Sequence, residues 1–216
     1  GESGVGKSRL LKEVKIRTQV SGFAFIDSQI SSKSVKAFTP VFSVVSEVKR
    51  FLHDNELTKY EKLLESIQDD HNSDDGGAGY DETGFILEII DFITAASQNQ
   101  KIIIAFDDIH NADEGTLNFI DYFVRNISLS GNHNITLLLT LQDGKSNDAD
   151  EIIDEAIKES RMLSLSLSGI SKTALEKYIC ALLGLAELPV GFIDKISDET
   201  SGNFLFIEEI LKLLLE

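Results

Sequence analysis

The chain has 216 residues, 42% hydrophobic and 26% charged, a balance that excludes a disordered tail and fits one globular domain or one with a small appendage. Its 20 Lys and Arg against 36 Asp and Glu give a formal net charge of −16, a field that repels nucleic-acid phosphates and anionic lipid, so neither nucleic acid nor membrane is an expected partner. The lone Cys180 has no internal partner for a bridge, which points to a reducing cytosolic or nuclear setting, the cytoplasm being the expectation, and no apolar run approaches the roughly 20 residues of a membrane helix.

The chain opens on Gly1 and reads as a piece of a longer protein. Its first segment, Gly1-Glu2-Ser3-Gly4-Val5-Gly6-Lys7-Ser8, matches G-x-x-x-x-G-K-[ST] at every position and runs into a helical pattern carrying Leu10, Leu11 and Val14. Glycines at this spacing let the backbone wrap tightly, so that successive N–H groups point at a phosphate at the positive end of the following helix. Lys7 then reaches the β- and γ-phosphates as a point charge, and the Ser8 hydroxyl is placed to ligate Mg²⁺. Gly1, Glu2, Ser3, Gly4, Val5, Gly6, Lys7, Ser8 and Arg9 are thus the candidate nucleotide contacts.

A first strand is expected over Phe23 to Asp27. Thr39 is the expected N-cap of the next helix, with Pro40 at its first position and Val41, Val44, Val45, Val48 and Leu52 on one face. Leu57, Tyr60, Leu64 and Ile67 repeat at helical spacing. The polar stretch from Asp69 to Gly79 is expected to be a loop; Asp70, Asn72 and Asp74 alternate as in a calcium loop, but Gly76 and Glu82 each come one residue late. A further helical pattern runs through Phe85, Ile86, Ile89, Ile90 and Ile93.

The apolar run of Lys101 to Asp107 reads as a strand buried on both faces, ending in Asp107-Asp108. Beside a phosphate loop, such a strand end supplies the second half of a hydrolytic site: Asp107 holds Mg²⁺ through water and Asp108 polarises the attacking water as general base. Leu117, Ile120, Phe123, Val124 and Ile127 continue as a helix, followed by strands expected at Asn134 to Leu141 and Met162 to Leu167. From Ser171 the chain reads helical, with Ala174, Tyr178 and Leu182, then Ile193 and Ile196 beyond Pro189, then a last apolar helix. The alternation of strands and helices is that of an α/β domain with a parallel sheet.

At Asp107-Asp108-Ile109-His110-Asn111-Ala112-Asp113-Glu114-Gly115-Thr116-Leu117 the chain resembles the Asp-Asp-Leu-His-Trp-Ala-Asp-x-x-Ser-Leu segment of the AAA-type ATPase modules of the signal-transducing ATPases with numerous domains. Those modules occur beside adenylyl cyclases, protein kinases and transcription regulators. Thr39-Pro40-Val41-Phe42 resembles the family's Tyr-x-Pro-Leu segment, and residues 200 to 210 resemble its Thr-x-Gly-Asn-Pro-Phe-Phe-x-x-Glu-Leu segment. Three positions depart: Asn111 replaces Trp, Phe204 replaces the Pro of the nucleotide-sensing lid, and Gln142, after Thr140, stands where relatives often carry Arg.

The resemblance implies a P-loop NTPase three-layer sandwich over residues 1–167, with the strand before residue 1 missing from the chain, and a helical lid over 168–216 that is incomplete at its C-terminus. It implies ATP or ADP and Mg²⁺ as cofactors, and as partners the other domains of the same chain, with self-association possible. Lys7, Asp108 and Gln142 are the candidate catalytic residues, and Ser8 and Asp107 the candidate metal ligands. Asn203, Glu208 and Glu209 either face the nucleotide or a neighbouring domain, or belong to a capped helix with an exposed acidic face. The function this implies is a slowly hydrolysing ATP switch within a signalling protein, the rival being an ADP-holding scaffold. A GTPase is disfavoured, because no Asn-Lys-x-Asp string is present to recognise guanine.

Overall fold

A computed structural model describes residues 1–31, 36–72, 81–144 and 148–215. The chain divides into two compact units: one of Gly1–Lys12, Gln142–Lys145 and Ser164–Glu216, the other of Glu13–Leu141 and Ser146–Leu163. Helix α1 (Lys7–Val20) contributes its first turns to one unit and the remainder to the other. No helix among the described residues is long and apolar enough to cross a membrane.

The larger unit is built on three parallel strands, β1 (Ala24–Gln29), β2 (Ile102–Asp107) and β3 (Ile135–Leu139), in that spatial order. Ala24 pairs with Ile102, and Ile102 with Ile135, so the register follows the apolar runs. Parallel strands need covered faces, and β2 meets this requirement with Ile102 to Phe106 all buried. Ala24, Ile26, Ile102, Ile104, Phe106 and Ile135 face a core shared with the helices α2 (Thr39–Val48), α5 (Glu82–Asn99) and α6 (Glu114–Ser130). There Phe119 lies between Phe106 and Phe123, with ring centroids 6.4 and 5.2 Å away. Phe25, Ile103 and Ala105, of the opposite parity, are buried as well.

The structure corrects several expectations. Thr39 is not the N-cap of α2 but its first residue; the cap is Phe38, in the left-handed region at φ 58°, and Pro40 is second. The Thr39 hydroxyl instead donates to the Lys36 carbonyl at 2.8 Å. The repeat from Leu57 to Ile67 is not one helix. It is broken into α3 (Asp54–Leu57), a 3₁₀ turn over Thr58–Tyr60 and α4 (Glu61–Asn72). Residues 69–72 of the expected loop continue α4, while 73–80, and with them most of the calcium-loop reading, lie outside the described residues.

A helix that the sequence reading omitted, α7 (Asp148–Lys158), buries Ala149 and Ala156 and carries Asp148, Asp150 and Glu151 in its first turn, where the helix dipole favours carboxylates. Arg125 of α6 reaches Asp121 at 2.8 Å and Glu155 of α7 at 3.3 Å. Met162 to Leu167 is not a strand. A strand exists only through its ladder, and among the described residues no strand pairs with this segment, which leaves Leu163 and Leu165 exposed.

The 3₁₀ turn sets Tyr60, 2% exposed, against α5, where its hydroxyl donates to Asp91 at 2.8 Å beside Lys59, whose ammonium reaches the same carboxylate at 2.7 Å. The Lys59 bond lowers the Asp91 carboxyl, that bond in turn raises Lys59, and burial raises Tyr60. A depressed carboxyl stabilises the fold above the ordinary Asp range and loses that contribution as pH falls through its folded value. The raised Lys59 and Tyr60 stabilise below their ordinary ranges and lose that contribution as pH rises. The contribution is therefore flat between about pH 5 and 9. Melting curves should show Asp91→Asn below wild type in that window, with the gap closing as pH falls below about 4.

The smaller unit packs α8 (Lys172–Leu183), α9 (Phe192–Thr200) and α10 (Phe204–Leu215) around Leu175, Ile179, Ile196, Ile207 and Leu211. Ser171 caps α8 by accepting from the Ala174 N–H, and Gly184 ends it in the left-handed conformation.

Candidate functional site

The glycine-rich segment forms a compact loop that enters α1 at Lys7. Gly4 and Gly6 both take positive φ, at 82° and 104°, a conformation a side chain would strain. At Gly4 a Cβ would also stand 2.5 Å from Asn203 Oδ1 and 2.8 Å from Leu205 Cβ, so the start of α10 closes off the outside of the loop. Lys7 crosses back over the loop and donates to the carbonyls of Gly1 and Glu2, each at 2.8 Å. An ammonium has three donors, so one remains for a ligand. Ser8 and Arg9 lie exposed in the first turn of α1, and the Arg9 guanidinium stands 5.2 Å from the centre of the Phe204 ring. Phe204 in turn contacts Tyr178, with ring centroids 4.9 Å apart.

In the larger unit the end of β2 is organised by one threonine. The Thr140 hydroxyl, just beyond β3, donates to Asp107 Oδ1 and accepts from the Asp108 N–H at 2.8 Å. The Thr140 N–H donates to the Phe106 carbonyl, and the Ile109 N–H donates to the Thr140 carbonyl, both at 3.0 Å. The chain must turn sharply after Asp107, and Asp108 does so at φ 64° and ψ 48°, a left-handed conformation that Asp tolerates better than most residues. Such a turn is compatible with a carboxylate held for a task. His110 follows in a 3₁₀ turn (Ile109–Asn111) with its side chain 3% exposed, its Nδ1 3.9 Å from Asp108 Oδ1.

Asp113 then caps α6, accepting from the Thr116 N–H at 2.9 Å and the Thr116 hydroxyl at 2.7 Å. The same carboxylate accepts from the Phe38 N–H at 3.1 Å, which fixes the start of α2 to the start of α6. The Phe38 ring fills the space over Gly115, where a Cβ would meet it at 2.5 Å.

A family model described as AAA ATPase domain matches residues 1–139 of the chain. The chain belongs to this AAA ATPase family. Among curated proteins none matches significantly. Among solved structures, the crystal structure of Cdc6p from Pyrobaculum aerophilum is similar at 14% sequence identity with a TM-score of 0.49, over 88% of this chain and 43% of that one. The chain thus spans less than half the length of that protein.

As an AAA ATPase domain the chain is a nucleotide-binding module, and its candidate residues fall into two groups. The loop residues Gly1 to Ser8 and Arg9 lie in the smaller unit, as does Gln142, which is half-buried three residues past the end of β3. Asp107 and Asp108 lie together in the larger unit, ordered by Thr140. Two contributions went unrecognised in the sequence. The Thr140 hydroxyl gives no pattern of its own, although its place at a strand end two residues before Gln142 was a usable cue. The Phe38 cap gives none at all, since a left-handed aromatic residue has no sequence signature.

Proposed function

We propose that this AAA ATPase domain binds Mg-ATP, hydrolyses it slowly, and acts as a switch within a larger signalling or regulatory protein. The observation that carries this reading is the loop of residues 1–6, closed by Lys7 and entering α1, with two glycines in the conformation that turns backbone N–H groups toward an anion. Lys7 holds the β- and γ-phosphates, and Asp108 accepts the proton of the attacking water. Gln142 orients that water or accepts a hydrogen bond but neutralises no charge. This uncharged group supports a slow reaction.

The donor set suits Mg²⁺. Among the described residues no group of three His, Cys, Asp or Glu side chains could hold a metal ion by itself. Mg²⁺ does not require one, since it keeps several waters and takes one or two protein oxygens besides phosphate. Ser8 offers a hydroxyl, and the Asp107 carboxylate has its Oδ1 on Thr140 and its second oxygen for a metal-bound water. When bound, the ion neutralises charge developing on the phosphates.

A second reading is favoured by Gln142 and by Phe204, whose ring lies under the Arg9 guanidinium and against a tilted Tyr178 ring where the resembled family carries Pro. In it the chain holds ADP and serves as an interaction scaffold. Nucleotide retained on purification, followed by steady-state ATP turnover, tests both. Retained adenine nucleotide with turnover supports the switch, retained ADP without turnover supports the scaffold, and no nucleotide in either assay rejects both.

A further inference from the structure

We propose that Asn203 is a positioning residue for the phosphate loop, holding it from behind in the conformation that binds phosphate. The proposal rests on the nucleotide-binding reading above and adds a residue outside the glycine-rich motif. Asn203 immediately precedes α10 and is buried, 6% exposed. Its Nδ2 donates to the Ser3 carbonyl at 2.7 Å, across 200 residues of sequence, while its Oδ1 accepts from the Leu205 N–H at 3.1 Å. The Leu205 N–H also lies 3.3 Å from the Gly4 carbonyl, which accepts from it.

Two consecutive loop carbonyls, those of Ser3 and Gly4, are therefore held against the start of α10. In a trans peptide the N–H points opposite to the C=O of the same plane. No described peptide is cis. Holding those two carbonyls outward therefore turns the N–H groups of Gly4 and Val5 away from α10, toward the concave side of the loop where an anion is received. A Cβ at Gly4 would collide with Asn203 Oδ1, so the glycine is required both by its positive φ and by this contact. By linkage, a loop that binds phosphate better when α10 is seated must also seat α10 better when phosphate is bound.

The test separates the two halves of the Asn203 amide. Asn203→Asp keeps the acceptor for Leu205 and removes the donor to Ser3. Asn203→Ser also retains a short acceptor, cannot reach Ser3, and adds no charge that would itself repel phosphate. Equilibrium dialysis of Mg-ADP and nucleotide-free melting curves are recorded for the full protein, both variants and Lys7→Ala.

The expected result is an affinity about ten-fold weaker in both Asn203 variants, as for the loss of one part-buried hydrogen bond that orders a charged ligand's site, with melting midpoints near wild type because Ser3 is exposed and water can take the place of the lost donor. Affinity within two-fold of wild type in both variants, while Lys7→Ala loses binding, overturns the proposal and leaves the nucleotide reading standing. A lower melting midpoint with a proportionate loss of affinity in both variants marks a merely structural role and also overturns it. Undiminished binding by Lys7→Ala would show that the loop does not receive the phosphates, which removes the reading of the loop as the nucleotide site and the proposal with it.

Discussion

Lys7→Ala is expected to abolish nucleotide retention, with Mg-ADP affinity falling by about 100-fold or more, the equivalent of about 3 kcal/mol. In the proposed reading the side chain is the cation of the phosphate loop, and a charge-assisted bond to phosphate is roughly twice as strong as a neutral one. Its second task is to brace the loop, through the carbonyls of Gly1 and Glu2. Those carbonyls lie in residues that are half-buried or exposed, where water can replace the lost donor, so the brace adds little to global stability. The melting midpoint without nucleotide should therefore stay close to wild type while binding collapses. A calorimetric titration run beside a melting curve reads both, and normal affinity in the variant would show that the loop does not receive phosphate.

Asp108→Asn is expected to lower ATP turnover by about 100- to 1,000-fold while leaving Mg-ATP affinity within about two-fold, the signature of a group that acts in the transition state. The substitution is nearly isosteric. Asn also tolerates the left-handed backbone at position 108, and the bond from the residue's N–H to Thr140 does not involve its side chain. Structure and binding are thereby preserved while the proposed acceptor for the water proton is removed. Single-turnover kinetics with saturating Mg-ATP would decide the matter. Unchanged turnover would eliminate Asp108 as base, and a wild type that shows no turnover at all would move the reading to the scaffold.

The sequence revealed what depends on neighbouring residues and concealed what depends on distant ones. The Ile102-Ile103-Ile104 run declared a doubly covered strand, and β2 is one, because burial on both faces demands apolar residues at every position. The glycine-rich loop was equally legible, since its geometry needs glycine at fixed offsets. Met162 to Leu167 misled because its composition suits a strand while a strand requires a partner, which no local pattern supplies. Helix α7 was missed between an acidic start and a short apolar stripe of Ile152, Ile153 and Ala156. The contact of Asn203 with Ser3 lay beyond sequence reasoning altogether. An Asn after Gly202 reads as a helix start, and nothing near it names a partner 200 positions away.

The packing of Phe38 over Gly115 reaches beyond this one chain. Position 115 lies in the first turn of α6, where a helix would ordinarily favour almost any residue over glycine, and the space its side chain would take is filled by an aromatic ring from the start of α2. The two positions therefore exchange volume. Across homologous sequences a larger residue at 115 should be accompanied by a smaller one at 38, so that this pair, 77 positions apart, varies jointly even where each position alone shows no preference.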